Sequence, residues 1–241
     1  MKKPEEYQVL FDSLKQYSNE KDYLDHLTLF IKDAMYERTV FVPNSDNDSI
    51  RDDFYKKLRD KLESIYHTYK SDKSIEEDIQ FAGCGHTSLA FRMGDVVFKI
   101  GKKSSSLSPK KNDFSCLIPV FYQSITPVGE KEFYEVQVTP YVNTYDISEE
   151  DVYSAYKSLR KCGYIWNDPT FDNTGRIEKD FSFEGREYHA GDLVIIDLED
   201  LAYVGEETSD EILEEISMMS YNRKTYQFEM RYIEEKSQKM K

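Results

Sequence analysis

The sequence predicts an α+β protein with two lobes and a helical extension in front of them. Residues 1–78 are the predicted N-terminal helical extension, 79–139 a small antiparallel β lobe, and 140–241 a reduced helical lobe. Two observations support this division. Apolar residues follow a helical period of about 3.6 in the first segment and change to short β-type runs after it. Beyond residue 140 both patterns alternate within one stretch.

The N-terminal segment has amphipathic helical periodicity in two parts. Over 7–38 apolar residues recur at spacings of three and four, and a second helix is predicted over 49–71. Turn-forming residues at 42–48 separate the two, so they form a predicted helical hairpin. Alternating charges along the helices are typical of a solvated face. A protein partner bound to these helices is the alternative interpretation.

The next segment consists of short β-type runs at 95–100, 120–125 and 133–138. The tripeptide Met93-Gly94-Asp95 supplies a tight turn between residues 89–92 and the first of these runs. Such a turn between two apolar runs predicts an antiparallel hairpin.

The last segment begins with a helix and continues as a mixture of strands and helix. Ser148 followed three residues later by Asp151 is a helix-start signal, and the predicted helix runs to about Lys161 and stops at Gly163. A strand-rich stretch is predicted at 174–204, and an acidic helical stretch at 209–236.

The charge of the chain argues against nucleic-acid binding. The 241 residues carry 32 Lys and Arg against 46 Asp and Glu, a net charge of −14. Binding to a phosphate backbone needs clustered basic residues, so nucleic acid is a minor hypothesis. Only residues 81–140 have a basic excess, with 7 basic and 5 acidic residues. We therefore expect an anionic ligand to bind in that segment.

Compartment signals point to the cytoplasm. The N-terminus lacks the apolar stretch of a secretory signal, and no window approaches the roughly 18 apolar residues of a membrane span. The cysteines are Cys84, Cys116 and Cys162, an odd number without metal-ligand spacing. They are predicted to be reduced thiols.

A glycine-containing loop followed by a lysine is the first chemical motif. Gly83 and Gly85 precede the predicted hairpin, and Lys99 lies in its second strand. Glycines allow the close backbone approach that a phosphate-covering loop needs. Because these glycines lie between two strands, a Rossmann fingerprint is excluded, and no Gly-Lys-Ser/Thr follows to make a Walker A loop.

Two acidic motifs complete the pattern. Asp168 and Asn173 are five residues apart on a proline-containing loop, a spacing that can direct a carboxylate at a proton and an amide oxygen at a metal. Asp197 ends an apolar β-branched run, where a carboxylate needs a cation such as Mg²⁺. Each motif alone is also found in ordinary turns, but their order is informative.

In this order, the motifs resemble those of the protein kinase-like superfamily, which includes eukaryotic-type protein kinases, aminoglycoside phosphotransferases and bacterial sugar kinases of that fold. The similarity covers about residues 79–204 and suggests a compact, divergent member of bacterial or phage type. The resemblance implies a bilobal kinase fold that binds ATP and Mg²⁺. The implied nucleotide-binding residues are Gly83, Gly85, Ser88, Ala90, Val97, Lys99, Thr139 and Tyr141.

The resemblance also implies the roles of these side chains. Ala90 and Val97 would contact adenine, Lys99 the α and β phosphates, and the backbone of the hinge at 138–142 the adenine edge. Asp168 would be the catalytic aspartate. Asn173 and Asp197 would hold the metal.

Several departures from the family pattern bear on these roles. Trp166-Asn167 replaces the usual His-Arg, and Leu198-Glu199 replaces Phe-Gly after the metal-binding aspartate. Twenty-four residues separate Asn173 from Asp197, which leaves room for an extra hairpin. No glutamate lies between Gly101 and Pro119 to pair with Lys99. The alternatives are that Asp113 pairs with Lys99, that a carboxylate of the N-terminal helices does so, or that the pair is absent.

The implied reaction is transfer of the γ-phosphoryl group of ATP to a hydroxyl acceptor. A protein hydroxyl, on this chain or another, is the first hypothesis. A small-molecule kinase of aminoglycoside or sugar type is the second, favoured by the 44 residues after Asp197 and the absence of an Ala-Pro-Glu segment. A pseudokinase or nucleotide-binding interaction module is the third, favoured by the missing glutamate.

Overall fold

The computed structural model describes residues 4–38, 48–70, 79–85, 88–102, 114–128, 132–197, 201–205 and 223–239. The chain divides into two compact units. Unit 1 comprises Met1–Ser104 with Val120–Tyr141, and unit 2 comprises Ser105–Pro119 with Val142–Lys241. Helices and antiparallel sheets occur together in the described residues, which confirms the α+β class.

Three helices begin unit 1: α1 (Pro4–Leu14), α2 (Glu20–Arg38) and α3 (Asp48–Lys70). The prediction of one helical segment over 7–38 was wrong, because the chain leaves the helix between α1 and α2. The Asn19 side chain accepts a hydrogen bond from the backbone N–H of Asp22 at 2.9 Å and so caps the start of α2. The predicted loop at 42–48 lies outside the described residues except for Asp48, where α3 begins.

Five antiparallel strands form the sheet of unit 1. They are β1 (Gln80–Cys84), β2 (Ser88–Met93), β3 (Val96–Lys102), β4 (Tyr122–Val128) and β5 (Glu132–Pro140), in the spatial order β1-β2-β3-β5-β4. The predicted hairpin is confirmed, because β2 pairs with β3 across a turn in which Gly94 has a φ of 57°. Glycine adopts this conformation most readily, because it has no Cβ.

One face of this sheet packs against the three helices. The rings of Phe11 in α1 and Phe91 in β2 lie 5.6 Å apart, and those of Phe54 in α3 and Tyr134 in β5 lie 4.7 Å apart. Helix and strand residues share one buried apolar cluster. Helices α1, α2 and α3 therefore belong to the same compact unit as the sheet.

Unit 2 contains two helices and seven short strands among its described residues. They are β6 (Val142–Asn143), α4 (Glu149–Arg160), β7 (Tyr164–Trp166), β8 (Thr174–Ile177), β9 (Phe181–Phe183), β10 (Arg186–Tyr188), β11 (Leu193–Ile195), β12 (Leu201–Tyr203) and α5 (Arg223–Lys239). The strands form three small sheets, ordered β11-β8-β6, β12-β7 and β10-β9. The hairpin of β9 and β10 confirms the extra hairpin expected between Asn173 and Asp197.

The predicted start and end of α4 are also confirmed. Ser148 and Asp151 form a reciprocal capping box in which each side chain accepts the backbone N–H of the other. After α4 the chain turns through Gly163, which has a φ of 84°. Of the helical stretch predicted at 209–236, residues 223–236 are helical in α5, and the remainder lies outside the described residues.

The described helices include no candidate for a membrane span. The longest, α3, has 23 residues, but none of these helices is both long enough and apolar enough to cross a bilayer.

Candidate functional site

The second face of the unit 1 sheet carries most of the predicted nucleotide-binding residues. Directly paired residues of antiparallel strands point to the same side of a sheet. Ala90 is paired with Lys99, Lys99 with Gln137, and Val97 with Thr139, whereas Phe91, Phe98 and Val138 lie in the core at the alternate positions. We call this second surface the helix-distal face. The predicted residues on it are Ser88, Ala90, Val97, Lys99 and Thr139.

Tyr141 follows β5 at the end of this face, and two contacts hold it. Its ring lies 3.5 Å from the Arg92 guanidinium carbon, and its backbone N–H donates to the Asp95 carbonyl at 2.8 Å. The N–H of Tyr141 is one of the hinge groups that the kinase resemblance assigns to the adenine edge. Within unit 1 this N–H is already bonded to the Asp95 carbonyl.

The two loop glycines lie where β1 ends. Gly83 is paired with Ala90 after an irregularity in the β1–β2 register, and the Gly85 N–H donates to the Ser88 carbonyl at 2.9 Å. Among the described residues, a Cβ added at Gly83 would meet nothing within 4 Å, and one at Gly85 would make only an ordinary contact with Ser88. Packing against the described residues therefore does not require a glycine at either position. The intervening residues 86 and 87 lie outside the described part of the chain.

A buried carboxylate on the helix-distal face was missed by the sequence reasoning. Glu135 in β5 is 6% exposed and is paired with Gly101 of β3, so it lies diagonal to Lys99 on the same face. Diagonal neighbours on an antiparallel sheet are close enough for long side chains to meet. The strand alternation of 133–138 indicates that Glu135 lies on the opposite side from Tyr134 and Val136, but it does not indicate that this side is buried. Asp113, the earlier candidate, lies outside the described residues.

In unit 2, the loop between β7 and β8 brings Asp168 and Asn173 into contact. We call residues 167–173 the Asp168 loop. The Asn173 side-chain amide donates to the Asp168 carboxylate at 2.9 Å and to its backbone carbonyl at 3.2 Å. The loop closes through the Thr174 hydroxyl, which donates to the Thr170 carbonyl at 3.0 Å. The five-residue spacing thus places the carboxylate directly beside the amide.

Asp197 lies at the same end of the small sheet. Thr174 is paired with Ile195, and the Ile196 N–H donates to the Asn173 carbonyl at 2.9 Å, so the residue after Ile196 is held beside Asn173. The structure therefore joins Asp168 to Asn173 by a hydrogen bond and places the backbone of Asp197 next to that of Asn173. The predicted nucleotide-binding residues lie in unit 1.

These three residues offer the oxygen donors that Mg²⁺ prefers. Because the Asn173 nitrogen donates to Asp168, the Asn173 amide oxygen remains as an acceptor for a cation. Across the described ranges, no three His, Cys, Asp or Glu side chains are close enough together to hold a metal ion. An ion here would thus need water or phosphate oxygens to complete its coordination, as Mg²⁺ bound at substrate phosphates does.

Two further features surround the Asp168 loop. Trp166, which stands in place of the usual His-Arg pair together with Asn167, is a buried core residue of β7 paired with Leu201 of β12. Thr225 in α5 donates its hydroxyl to backbone carbonyls at the start of the loop. Its distance along the chain left no local sequence signal for this contact.

The three cysteines, Cys84, Cys116 and Cys162, form no disulfide. Burial raises the pKa of Cys116 to about 12, so this thiol stays protonated and is a poor nucleophile. Its carbonyl accepts the Ile195 N–H at 2.8 Å, which adds the segment before β4 to the edge of β11. Cys116 therefore has a structural place in unit 2.

Comparisons with protein-family models and with curated proteins found no match to this chain.

Proposed function

We propose that the protein is an ATP-dependent phosphotransferase with a bilobal protein kinase-like fold. In this proposal it moves the γ-phosphoryl group of Mg-ATP to a protein hydroxyl, either on another protein or on this chain itself. The arrangement of Asp168 with Asn173 is the observation that supports it best. The Asn173 amide bonds to the Asp168 carboxylate, the candidate base. The Asn173 backbone bonds to Ile196, the residue before Asp197, so a candidate metal site lies next to the candidate base.

The residues of the Asp168 loop have distinct roles in the proposed reaction. Asp168 accepts the proton of the acceptor hydroxyl, and the Asn173 amide fixes the direction in which its carboxylate points. The Asn173 amide oxygen and the Asp197 carboxylate are the proposed Mg²⁺ ligands. When bound, the ion supplies positive charge against the phosphate oxygens.

Unit 1 supplies the proposed nucleotide-binding residues. Lys99 offers a positive charge to the phosphates, and Ala90 beside it offers a small apolar surface to the base. The glycines of the loop after β1 permit close approach of a phosphate, and no contact with the described residues otherwise accounts for them. Glu135, diagonal to Lys99, is the proposed carboxylate that orients this lysine.

Removal of the proposed base tests the reaction. Wild type and Asp168→Asn are incubated with γ-labelled ATP and Mg²⁺, and phosphate is followed by label and by intact mass. We expect wild type to gain phosphate and Asp168→Asn to lose essentially all transfer while it still binds a fluorescent ATP analogue. Asp172→Asn is the matched control, since Asp172 is an exposed carboxylate on the same loop. It should retain wild-type transfer.

The other outcomes discriminate among functions. Equal transfer by wild type and Asp168→Asn would remove the catalytic assignment. Transfer only to members of an aminoglycoside or sugar panel would assign a small-molecule acceptor. Nucleotide binding without any transfer would indicate a pseudokinase. A mass increase corresponding to AMP would show nucleotidyl transfer instead.

A further inference from the structure

Helix α5 presents one continuous buried face to the rest of unit 2. The buried residues Thr225, Phe228, Glu229 and Tyr232 recur at spacings of three and four, which places them along one side of the helix. Exposed Gln227 lies off this face. The face is polar at two positions, and both polar side chains bond to residues far away in sequence.

The middle of this face is anchored to α4 by a buried ion pair. Arg160 and Glu229 are both 0% exposed, and the Arg160 Nε lies 3.0 Å from each Glu229 carboxylate oxygen. Tyr156 donates its hydroxyl to Glu229 at 2.7 Å, and Arg160 donates to the Gly205 carbonyl at 2.7 Å. Burial, reinforced by the Glu229 carboxylate, raises the pKa of Tyr156, so this hydroxyl remains a donor. These bonds determine where α5 lies on α4.

One turn before Glu229, Thr225 contacts the chain that leads into Asp168. Its hydroxyl lies 3.2 Å from the Trp166 carbonyl oxygen and 3.1 Å from that of Asn167. A hydroxyl has one proton, so the two carbonyls share it. This differs from a helix cap, in which the side chain accepts from a nearby backbone N–H. The bond instead connects α5 to the two residues that directly precede Asp168.

The neighbouring residue of α5 contacts the other side of the same loop. The Lys224 ammonium lies 4.4 Å from the ring centroid of Phe171 and 3.9 Å from a carboxylate oxygen of Glu149 in α4. The first turn of α5 therefore contacts the Asp168 loop both before and after Asp168. With the Asn173 bond from within the loop, three sets of contacts hold the segment that carries Asp168, and the Asn173 bond is the one made to its carboxylate.

From these contacts we infer that Thr225 is a positioning residue that holds the Asp168 loop in place for catalysis. The inference rests on the proposed function, because it assigns to α5 the orientation of the proposed base. Thr225 acts through the Trp166 and Asn167 backbone and does not itself contact the reacting groups. Its hydroxyl bonds to the backbone carbonyls of Trp166 and Asn167, the two residues that stand here in place of His-Arg before Asp168.

Replacement of the hydroxyl by a methyl group tests the inference. Thr225→Val keeps the side-chain shape and removes the shared hydrogen bond, whereas Thr225→Ser keeps the hydroxyl. Hydrogen exchange of the backbone amides in 167–174 is measured, together with the transfer rate and the KM for ATP. Gln227→Ala is the matched control on the exposed side of α5. Amides of α4 and α5 report whether each variant remains folded.

We expect Thr225→Val to accelerate exchange of the Asn173 and Thr174 amides, which donate to carbonyls within the loop. Transfer at saturating ATP should fall by about tenfold to a hundredfold, with KM for ATP changed less than about twofold, because orientation and not nucleotide binding is lost. Thr225→Ser and Gln227→Ala should behave as wild type. If Thr225→Val does not fold, Thr225→Ala makes the same test.

Unchanged loop exchange in the folded valine or alanine variant would overturn the inference. Faster exchange with an unchanged transfer rate would overturn it too, since the loop would then need no support for catalysis. A wild type without transfer would count against the proposed function alone. The exchange data would still decide whether Thr225 holds the loop.

Discussion

The helix-distal face of unit 1 and the Asp168 loop of unit 2 are built in different ways. On the face, residues such as Ala90 and Lys99 share a side because strand pairing alternates side chains with a period of two. In the loop, Asp168 is placed by a side-chain amide five residues away and by a helix that begins more than fifty residues later. A regular sheet thus defines one site, and a set of specific polar contacts defines the other. We expect substitutions to affect the two units differently.

The largest effect on stability is expected from the buried ion pair behind the Asp168 loop. Arg160→Met leaves the Glu229 carboxylate buried without its cation, and removal of one partner of such a pair costs about 3–5 kcal/mol. Urea denaturation followed by far-UV circular dichroism measures the change. The variant should also lose transfer activity, because α5 supports the Asp168 loop.

An exposed ion pair between the same two helices is the control. Arg231 makes two hydrogen bonds to the Glu150 carboxylate, both at 2.8 Å, but both side chains are well exposed. Arg231→Ala should therefore cost less than about 1 kcal/mol. If the Arg160 and Arg231 variants lost equal stability, the ion pair of Arg160 would not be what holds α5 in place.

Two glycines provide the next comparison between the units. A Cβ added at Gly175 would lie 2.5 Å from Cγ2 of Val142 in the adjacent strand β6. Gly175→Ala should therefore destabilise unit 2 by about 1–3 kcal/mol through overpacking. A Cβ at Gly83 meets no such atom in the part of the chain that the structure describes, so the stability of Gly83→Ala should stay within about 1 kcal/mol of wild type.

For ATP binding we expect Gly83→Ala to have a larger effect than Gly175→Ala, the reverse of their order for stability. Gly83→Ala places a methyl group where we propose that a phosphate approaches, so it should weaken ATP binding, measured by calorimetry. A Gly83→Ala variant with wild-type ATP affinity and unchanged stability would show that this glycine serves neither packing nor the ligand.

The metal dependence of ATP binding separates the two proposed sites. Lys99→Met should weaken ATP binding with or without Mg²⁺, because we propose that the lysine contacts phosphate directly. Asp197→Asn should weaken it only when Mg²⁺ is present. A hydrogen bond to a charged group contributes about 1.5–3 kcal/mol, so each loss is expected to be about tenfold to a hundredfold in Kd. Titration calorimetry with and without EDTA measures the Kd for ATP of both variants. If Asp197→Asn still weakened ATP binding in EDTA, the proposed role of Asp197 as a metal ligand would be excluded.

The parts of the fold that were predictable are those with local causes. The hairpin turn at Gly94 and the cap at Ser148 follow from residues within a few positions of each other. Asp168 and Asn173 are likewise close in sequence, and the structure joins them by a hydrogen bond. The break before α2 was missed because Tyr17 continues the apolar period, while the Asn19 side chain caps a new helix.

The remaining parts depend on contacts that periodicity cannot reveal. A glutamate in an alternating strand is usually interpreted as facing water, yet Glu135 is buried on the helix-distal face. Helical spacing indicates that Thr225 and Glu229 share one side of α5, but not that they bond to Trp166 and Arg160. Identifying such partners requires the tertiary structure, since nothing near them in sequence selects them.

The smallest expected effect concerns the cap of α4 and depends on pH. The Ser148 N–H, which donates to the Asp151 carboxylate at 3.0 Å, lowers the pKa of Asp151, and bonds from the Ser148 hydroxyl and Arg176 act in the same direction. A carboxylate with a depressed folded-state pKa stabilises the protein above its unfolded pKa of 3.8. That contribution is lost as the pH falls through the lower folded-state value.

Asp151→Asn should thus cost about 0.5–1 kcal/mol at pH 7, and the difference from wild type should shrink below about pH 4. Glu149→Gln controls for the interaction of a carboxylate with the helix dipole. It removes a carboxylate from the same turn, but this carboxylate contacts Lys224 and not Ser148. Urea denaturation from pH 7 to pH 3 measures the difference, and a constant cost of Asp151→Asn over this range would show that its charge is not what stabilises the cap.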